Sequence, residues 1–175
     1  MDTLERSMRS ARGNVPQELK DIGADWWVGA KPGQVFARAI CERLEVTEAR
    51  VLEDGGVPGR REGRLVFEID VTRDMCDAHD TVQSGCMATL IDFCSSLPRN
   101  LVKNSMAPKG VHVSLALNTT YHAPAVLGHR LSIIASTVAL GARVMTSRAE
   151  IYDMTSGIIV ASGVHVKVPP SKPRL

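Results

Sequence analysis

The chain of 175 residues has few aromatic side chains, 4% of the total, and no uninterrupted run of 18 apolar residues. The second absence excludes a membrane-spanning helix, which needs about 20 consecutive apolar residues. The first argues against a nucleic-acid partner: single strands are bound by stacking bases on aromatic platforms, and no clustered basic run or zinc-finger spacing offers another route. The four cysteines, Cys41, Cys76, Cys86 and Cys94, match no zinc-ligand spacing. A disulfide framework belongs to smaller secreted domains, so they read as reduced thiols. H-E-x-x-H, Walker, G-x-G-x-x-G and G-x-S-x-G motifs are also missing. Metal, nucleoside-triphosphate, dinucleotide and serine-nucleophile chemistry therefore lack support, and no metal or organic cofactor is expected. The first residues carry Arg6, Arg9 and Arg12 beside Asp2 and Glu5 without an apolar core, which is not a secretory signal; their acids also break the pattern of a mitochondrial presequence. A cytoplasmic location is expected, with mitochondria as the alternative.

What is present is a core. With 44% hydrophobic and 23% charged residues, the composition is that of one folded domain. Charge is divided unevenly: residues 1–92 hold 12 basic against 17 acidic side chains, and residues 93–175 hold 9 against 2. Between Asp92 and Glu150 no acid occurs, while Arg99, Lys103, Lys109, Arg130, Arg143 and Arg148 all do. Either a small phosphorylated ligand docks on this half, or acids of the first half neutralise it.

Residues 1–34 read as a polar, turn-rich leader with some helix potential, anchored by Trp26 and Trp27; 35–168 form the domain and 169–175 a Pro-rich tail. Alternation over 35–53 and 64–72 predicts a hairpin across the turn-rich Asp54–Gly59 link. From Ser84 the period changes. Met87, Leu90, Ile91, Cys94 and Leu97 form the apolar stripe of a helix that Pro98 ends. Asp92 lies roughly 140° from Met87 at about 100° per residue, beside the small Ala88, Ser95 and Ser96. Strands follow near 111–121, 130–140, 143–153 and 158–168, with a loop at Met106–Gly110. In the first of these, Ser114 points away from the row Val111, Val113, Leu115 and Leu117. The order is an α+β domain, one long helix against a curved antiparallel sheet. Such a sheet leaves an edge and a face open, so a homodimer is expected.

Asp92 stands alone in the neutral run CMATLIDFCSS, and an unpaired buried carboxylate costs several kcal/mol, so its presence calls for a partner or a function. The polar segment Cys76–Gly85 opens the helix, whose first backbone N–H groups make a ready anion or oxyanion site.

These features resemble the hotdog-fold acyl-CoA thioesterases of the PaaI/thioesterase superfamily member 2 type. Val82-Gln83-Ser84-Gly85 through Asp92 is similar to that family's H-G-G segment with its spaced aspartate. Val113 to Ala125 resembles its N-x-x-Y-x-x-P-A strand, Gly128 follows as in the family, and Gly157 to His165 resembles its closing T-G-x-x-x-A-x-G-x-H. The resemblance spans residues 65–168. It implies a hotdog domain, dimeric or a dimer of dimers, with sites between subunits and an acyl-CoA substrate cleaved to acid and CoA. Asp92 would be general base or nucleophile and Ser114 would position water. The backbone at Ser84 or Gly85 would polarise the carbonyl. The nucleotide would lie along the turn Gly141-Ala142-Arg143-Val144, with Arg143 on a phosphate, His165 and Lys167 as secondary contacts, and Tyr121 lining the channel.

Three positions depart from the family pattern: Gln83 replaces its histidine, Ser84 its first glycine and Asp77 its asparagine. Glutamine keeps hydrogen bonding but holds no imidazolium proton. Asp77 would set a second carboxylate near Asp92 and raise one of the two pKa values. A non-catalytic acyl-CoA-binding protein is the competing reading. A dehydratase, which pairs a histidine with its carboxylate, is disfavoured by Gln83. His79 and His122 read as surface or loop residues.

Overall fold

The structure is a computed structural model and describes residues 1–29, 36–53, 57–102 and 112–170. Four helices, α1 (Thr3–Ser10), α2 (Gln17–Gly29), α3 (Arg38–Cys41) and α4 (Ser84–Ser96), accompany six strands. These are β1 (Glu45–Glu53), β2 (Arg61–Asp70), β3 (Val113–Tyr121), β4 (Arg130–Leu140), β5 (Met145–Asp153) and β6 (Ile158–Val168). They form one antiparallel sheet in the order β1-β2-β4-β5-β6-β3.

The expected periodicities are realised. Leu65, Phe67, Ile69 and Val71 of the second segment are buried, as are Met87, Leu90, Ile91, Cys94 and Leu97 of the helix stripe. Each such large side chain contributes about 1.5–3 kcal/mol by leaving water. Pro98 ends α4 and starts a 3-10 turn, Pro98–Leu101, because it supplies no backbone donor and clashes with a continuing helix. The first residues carry the helix potential read from the sequence, and residues 35–53 begin with a helical turn rather than a strand. α1 and α2 occupy the residues read as a leader, and α3 takes residues that the alternating pattern had assigned to a strand. Lys31-Pro32-Gly33, Asp54–Gly56, Lys103 and the stretch from Met106 to Val111 lie outside the described residues.

α4 runs along β6 in step. A helix advances about 6 Å in four residues and a strand about 7 Å in two, so Ile91 meets Gly163 and Ser95 meets His165. A Cβ on Gly163 would sit 2.8 Å from Ile91 Cγ2 and 3.0 Å from the Asn118 carbonyl oxygen. Only glycine permits that closeness.

On β3 the simple alternation fails. The pairing with β6 slips between Ser114 and Ala116, so Ser114 opposes Lys167 and Leu117 opposes His165. Three residues apart on a regular strand, Ser114 and Leu117 would face opposite ways. The bulge at Leu115 turns both toward α4. The anticipated apolar row is consequently broken, leaving Val113 and Leu115 exposed, the latter 64%.

α1 is fastened at its first residue. Asp2 accepts from the Glu5 backbone N–H with one carboxylate oxygen and from the buried Trp27 indole with the other, both at 2.9 Å. Asp2→Ala removes a helix cap and a partner of a buried donor, and is expected to cost about 2 kcal/mol. Thermal unfolding should show a Tm about 4–8 °C lower; an unchanged Tm would mean that the helix pair is held by apolar contacts alone.

Candidate active site

Asp92 lies in the third turn of α4, its side chain 48% exposed, directly above the end of β6. His165 Nε2 is 3.4 Å and Lys167 Nζ 3.9 Å from Asp92 Oδ1. Ser114 completes the group from β3, its Oγ 2.9 Å from His165 Nε2 and 3.3 Å from Lys167 Nζ. From α4, Ser95 Oγ reaches His165 Nδ1 at 2.8 Å and Ser96 Oγ accepts from Lys167 at 3.1 Å. The lone acid of the CMATLIDFCSS run therefore has cationic and polar partners, all brought to one end of β6 by the register and the β3 bulge.

The neighbours assign the histidine tautomer. A carboxylate only accepts, so Nε2, facing Asp92 and Ser114, carries the hydrogen, and the Ser95 hydroxyl donates to Nδ1. Ser114 Oγ then accepts from both His165 and Lys167 and keeps its own hydrogen for a water or ligand. His165 is wholly buried, and burial first, then Lys167, pushes its pKa below the ordinary value against the opposing pull of Asp92. Lys167 is shifted down as well, mainly by burial.

Two expectations change here. His165 is sealed beneath Asp92, and Lys167 is turned onto Asp92, Ser96 and Ser114. Neither is placed as an open phosphate contact. Asp77 is likewise no partner of Asp92 within the chain. Its carboxylate closes its own loop, accepting from the backbone N–H groups of His79 and Thr81 and from the Thr81 hydroxyl. Those bonds hold its pKa below the usual range rather than raising it.

Gln83, Ser84 and Gly85 open α4 and are exposed. Gly85 and Asp92 are seven residues apart, about 10 Å along a helix, so one chain does not bring the helix start to the carboxylate. Tyr121 belongs with the helix start, its hydroxyl donating to the Ser84 carbonyl at 3.0 Å. The turn Gly141-Ala142-Arg143-Val144 is at the other end of the assembly. Met145 pairs with Lys167, which pairs with Ser114, so the turn sits just beyond that row with Arg143 exposed. Arg130 and Arg148 are neutralised from the first half of the chain, Arg130 by Glu45, Glu68 and Asp70 and Arg148 by Glu62. His79 is exposed, and His122 bonds Ser162 at the surface.

Beside Asp92 opens a cavity of about 290 Å³. One face of α4 forms its floor with Thr89, Asp92, Phe93 and Ser96, at helical spacings of three and four. Across it stand Trp26 and Trp27 of α2, with ring centroids 6.5 and 5.2 Å from that of Phe93. Sequence reasoning missed this wall, because no local pattern tells which element α2 covers. The described residues hold no group of three potential metal ligands and no helix long and apolar enough to cross a membrane.

Residues 79–159 match the thioesterase superfamily. Human acyl-coenzyme A thioesterase 13 is 29% identical over 105 residues, 60% of this chain and 72% of that protein. Among solved structures, zebrafish thioesterase superfamily member 2 superposes with a TM-score of 0.64 at 22% identity, covering 87% of this chain and 98% of that one. A mutant of the phenylacetic acid degradation protein PaaI from Thermus thermophilus gives 0.57 at 25% identity, covering 77% and 98%. The curved sheet with its long helix is the hotdog fold of those structures. By fold and by the match over residues 79–159, the chain is similar to the thioesterase superfamily.

Proposed function

We propose that the chain hydrolyses acyl-CoA thioesters to a carboxylic acid and free CoA, with Asp92 as general base. The observation that carries this reading is the half-exposed Asp92 carboxylate, braced by His165 and Lys167 beside the Ser114 hydroxyl at the mouth of an apolar cavity. A water held by Ser114 gives a proton to Asp92 and attacks the thioester carbon. The C–S bond of the tetrahedral intermediate then breaks, and the CoA sulfur takes the proton back.

The developing oxyanion needs donors that Asp92's own subunit does not supply there. A homodimer, or a dimer of dimers, would bring the α4 start of a second subunit, Gln83-Ser84-Gly85, to that oxygen, where backbone N–H donors are worth about 3 kcal/mol. The exposed apolar residues of the β3 edge favour such pairing, since an uncovered edge invites another chain. Four free thiols favour a reducing compartment, cytoplasmic or mitochondrial. No metal or organic cofactor enters the scheme.

The test is thiol release from acyl-CoAs of short, medium, long and aromatic acyl groups. Release dependent on Asp92 supports the reading; binding without release would make the protein an acyl-CoA carrier. Arg143 is assigned to a CoA phosphate. Arg143→Ala is expected to raise KM about 3–10-fold at low salt with kcat unchanged, and the effect should shrink above about 0.3 M salt because the side chain is exposed. A kcat loss with constant KM would place Arg143 elsewhere.

A further inference from the structure

We infer that the cavity between α2 and α4 holds the acyl group and limits its length, so that the preferred substrates carry compact acyl groups of up to about ten non-hydrogen atoms, with Trp26 as the residue that ends the site. The inference rests on the reading of Asp92 as the catalytic carboxylate and adds the substrate class to it. Two observations meet in the cavity. One end is polar, with Asp92 and Lys167, and there the thioester carbon must lie; the other walls are the rings of Trp26, Trp27 and Phe93, with Arg38 at the rim. The occupant is thus polar at one end and apolar at the other, as a thioester with its acyl tail is.

Volume decides the size. At about 30 Å³ per small heavy-atom group, 290 Å³ takes about ten of them, and a cavity half as large is known to accept benzene. A palmitoyl tail, at about 30 Å³ for each of its sixteen carbons, is larger than this volume. Cys41 at the same wall has its thiol pushed up to about 12, chiefly by burial, which keeps it neutral. Trp27 is fixed by its bond to Asp2, so it forms permanent wall, whereas Trp26 is half-buried and can be cut back without opening the core. Both tryptophans lie outside the segment that matches the thioesterase superfamily. The length limit is therefore built by the N-terminal helices, outside the matched segment.

The experiment compares kcat/KM for saturated acyl-CoAs from acetyl to palmitoyl and for phenylacetyl-CoA, in the full-length wild type, Trp26→Ala and the milder Trp26→Phe. Wild type should peak at about six to ten carbons and fall at least about tenfold by palmitoyl. Trp26→Ala should raise the ratio of myristoyl to octanoyl turnover about tenfold, with Trp26→Phe between. Folded variants with an unchanged length profile would overturn the inference and leave hydrolysis standing. In parallel, binding of octyl- and hexadecyl-CoA thioethers is followed by tryptophan fluorescence. If wild type hydrolyses no acyl-CoA, the proposed activity fails. The cavity assignment then stands on about tenfold tighter binding of the octyl thioether, reversed in Trp26→Ala, and falls if the two bind equally.

Discussion

Asp92→Asn is expected to lower kcat for acyl-CoA hydrolysis by about 10²–10⁴-fold while leaving KM within a few-fold, the loss typical of removing a positioned general base. Asparagine keeps the size and hydrogen-bonding reach of aspartate, and Asp92 is half exposed at a helix surface, so the fold should survive. The amide takes no proton from water. Lys167 and His165 keep serine partners, which limits the cost of losing the negative charge between them. Ser114→Ala should be milder, about 10–100-fold in kcat, because it misplaces the water without removing the base. A single turnover in ¹⁸O-water separates the two possible roles of the carboxylate. General-base catalysis puts the label in the released acid, whereas a mixed anhydride opened at the enzyme carboxyl leaves it on Asp92. If Asp92→Asn turned over within about threefold of wild type, the carboxylate would be a structural counter-charge for Lys167, and the proposed mechanism would be wrong.

The contrast between what was legible in the sequence and what was not follows the range of the interactions. β4 and β6 fall at the residues the alternation marked, and α4 buries the expected stripe, because period-two and period-3.6 burial are local consequences of backbone geometry. Asp92 was conspicuous because a lone acid in an apolar run breaks that local rule. His165 was misplaced at the sequence level: alternation puts it on a face of β6, but only the α4 packing at Gly163 says that the face is sealed. Ser114 reaches the helix side through a one-residue slip against β6, a property of two strands together that neither strand's own pattern contains. The acyl wall was least visible of all. Trp26 and Phe93 are 67 residues apart, and their meeting depends on where α2 docks.

His165→Leu is expected to destabilise the protein by about 1–3 kcal/mol at pH 7.5, and the difference from wild type should narrow as the pH falls toward 5. The first half follows from the two hydrogen bonds lost with the imidazole, to the buried Ser95 hydroxyl at 2.8 Å and to the exposed Ser114 hydroxyl at 2.9 Å, while Ser95 keeps the Asp92 carbonyl and Ser114 keeps Lys167. The second half follows from the sign of the histidine shift. The folded pKa lies below the ordinary 6.5, so the folded protein keeps His165 neutral where the unfolded chain is already protonated. Below pH 6.5 the unfolded state therefore binds more protons, and wild-type stability falls with pH by up to about 1.4 kcal/mol per unit until the folded pKa is reached. Leucine carries no proton and escapes that loss. Lys167, also shifted down, acts in a separate alkaline window, where stability changes as pH passes below about 10.4. The carboxylates held low, Asp74, Asp77 and Asp153, matter only below about pH 4 and are common to both proteins. Urea unfolding at pH 7.5, 6.5 and 5.5 reads the effect directly. A gap that stays constant over that range would mean that His165 accepts its proton in the folded state as readily as in the unfolded one, and Asp92 would then stand above an imidazolium rather than a neutral donor.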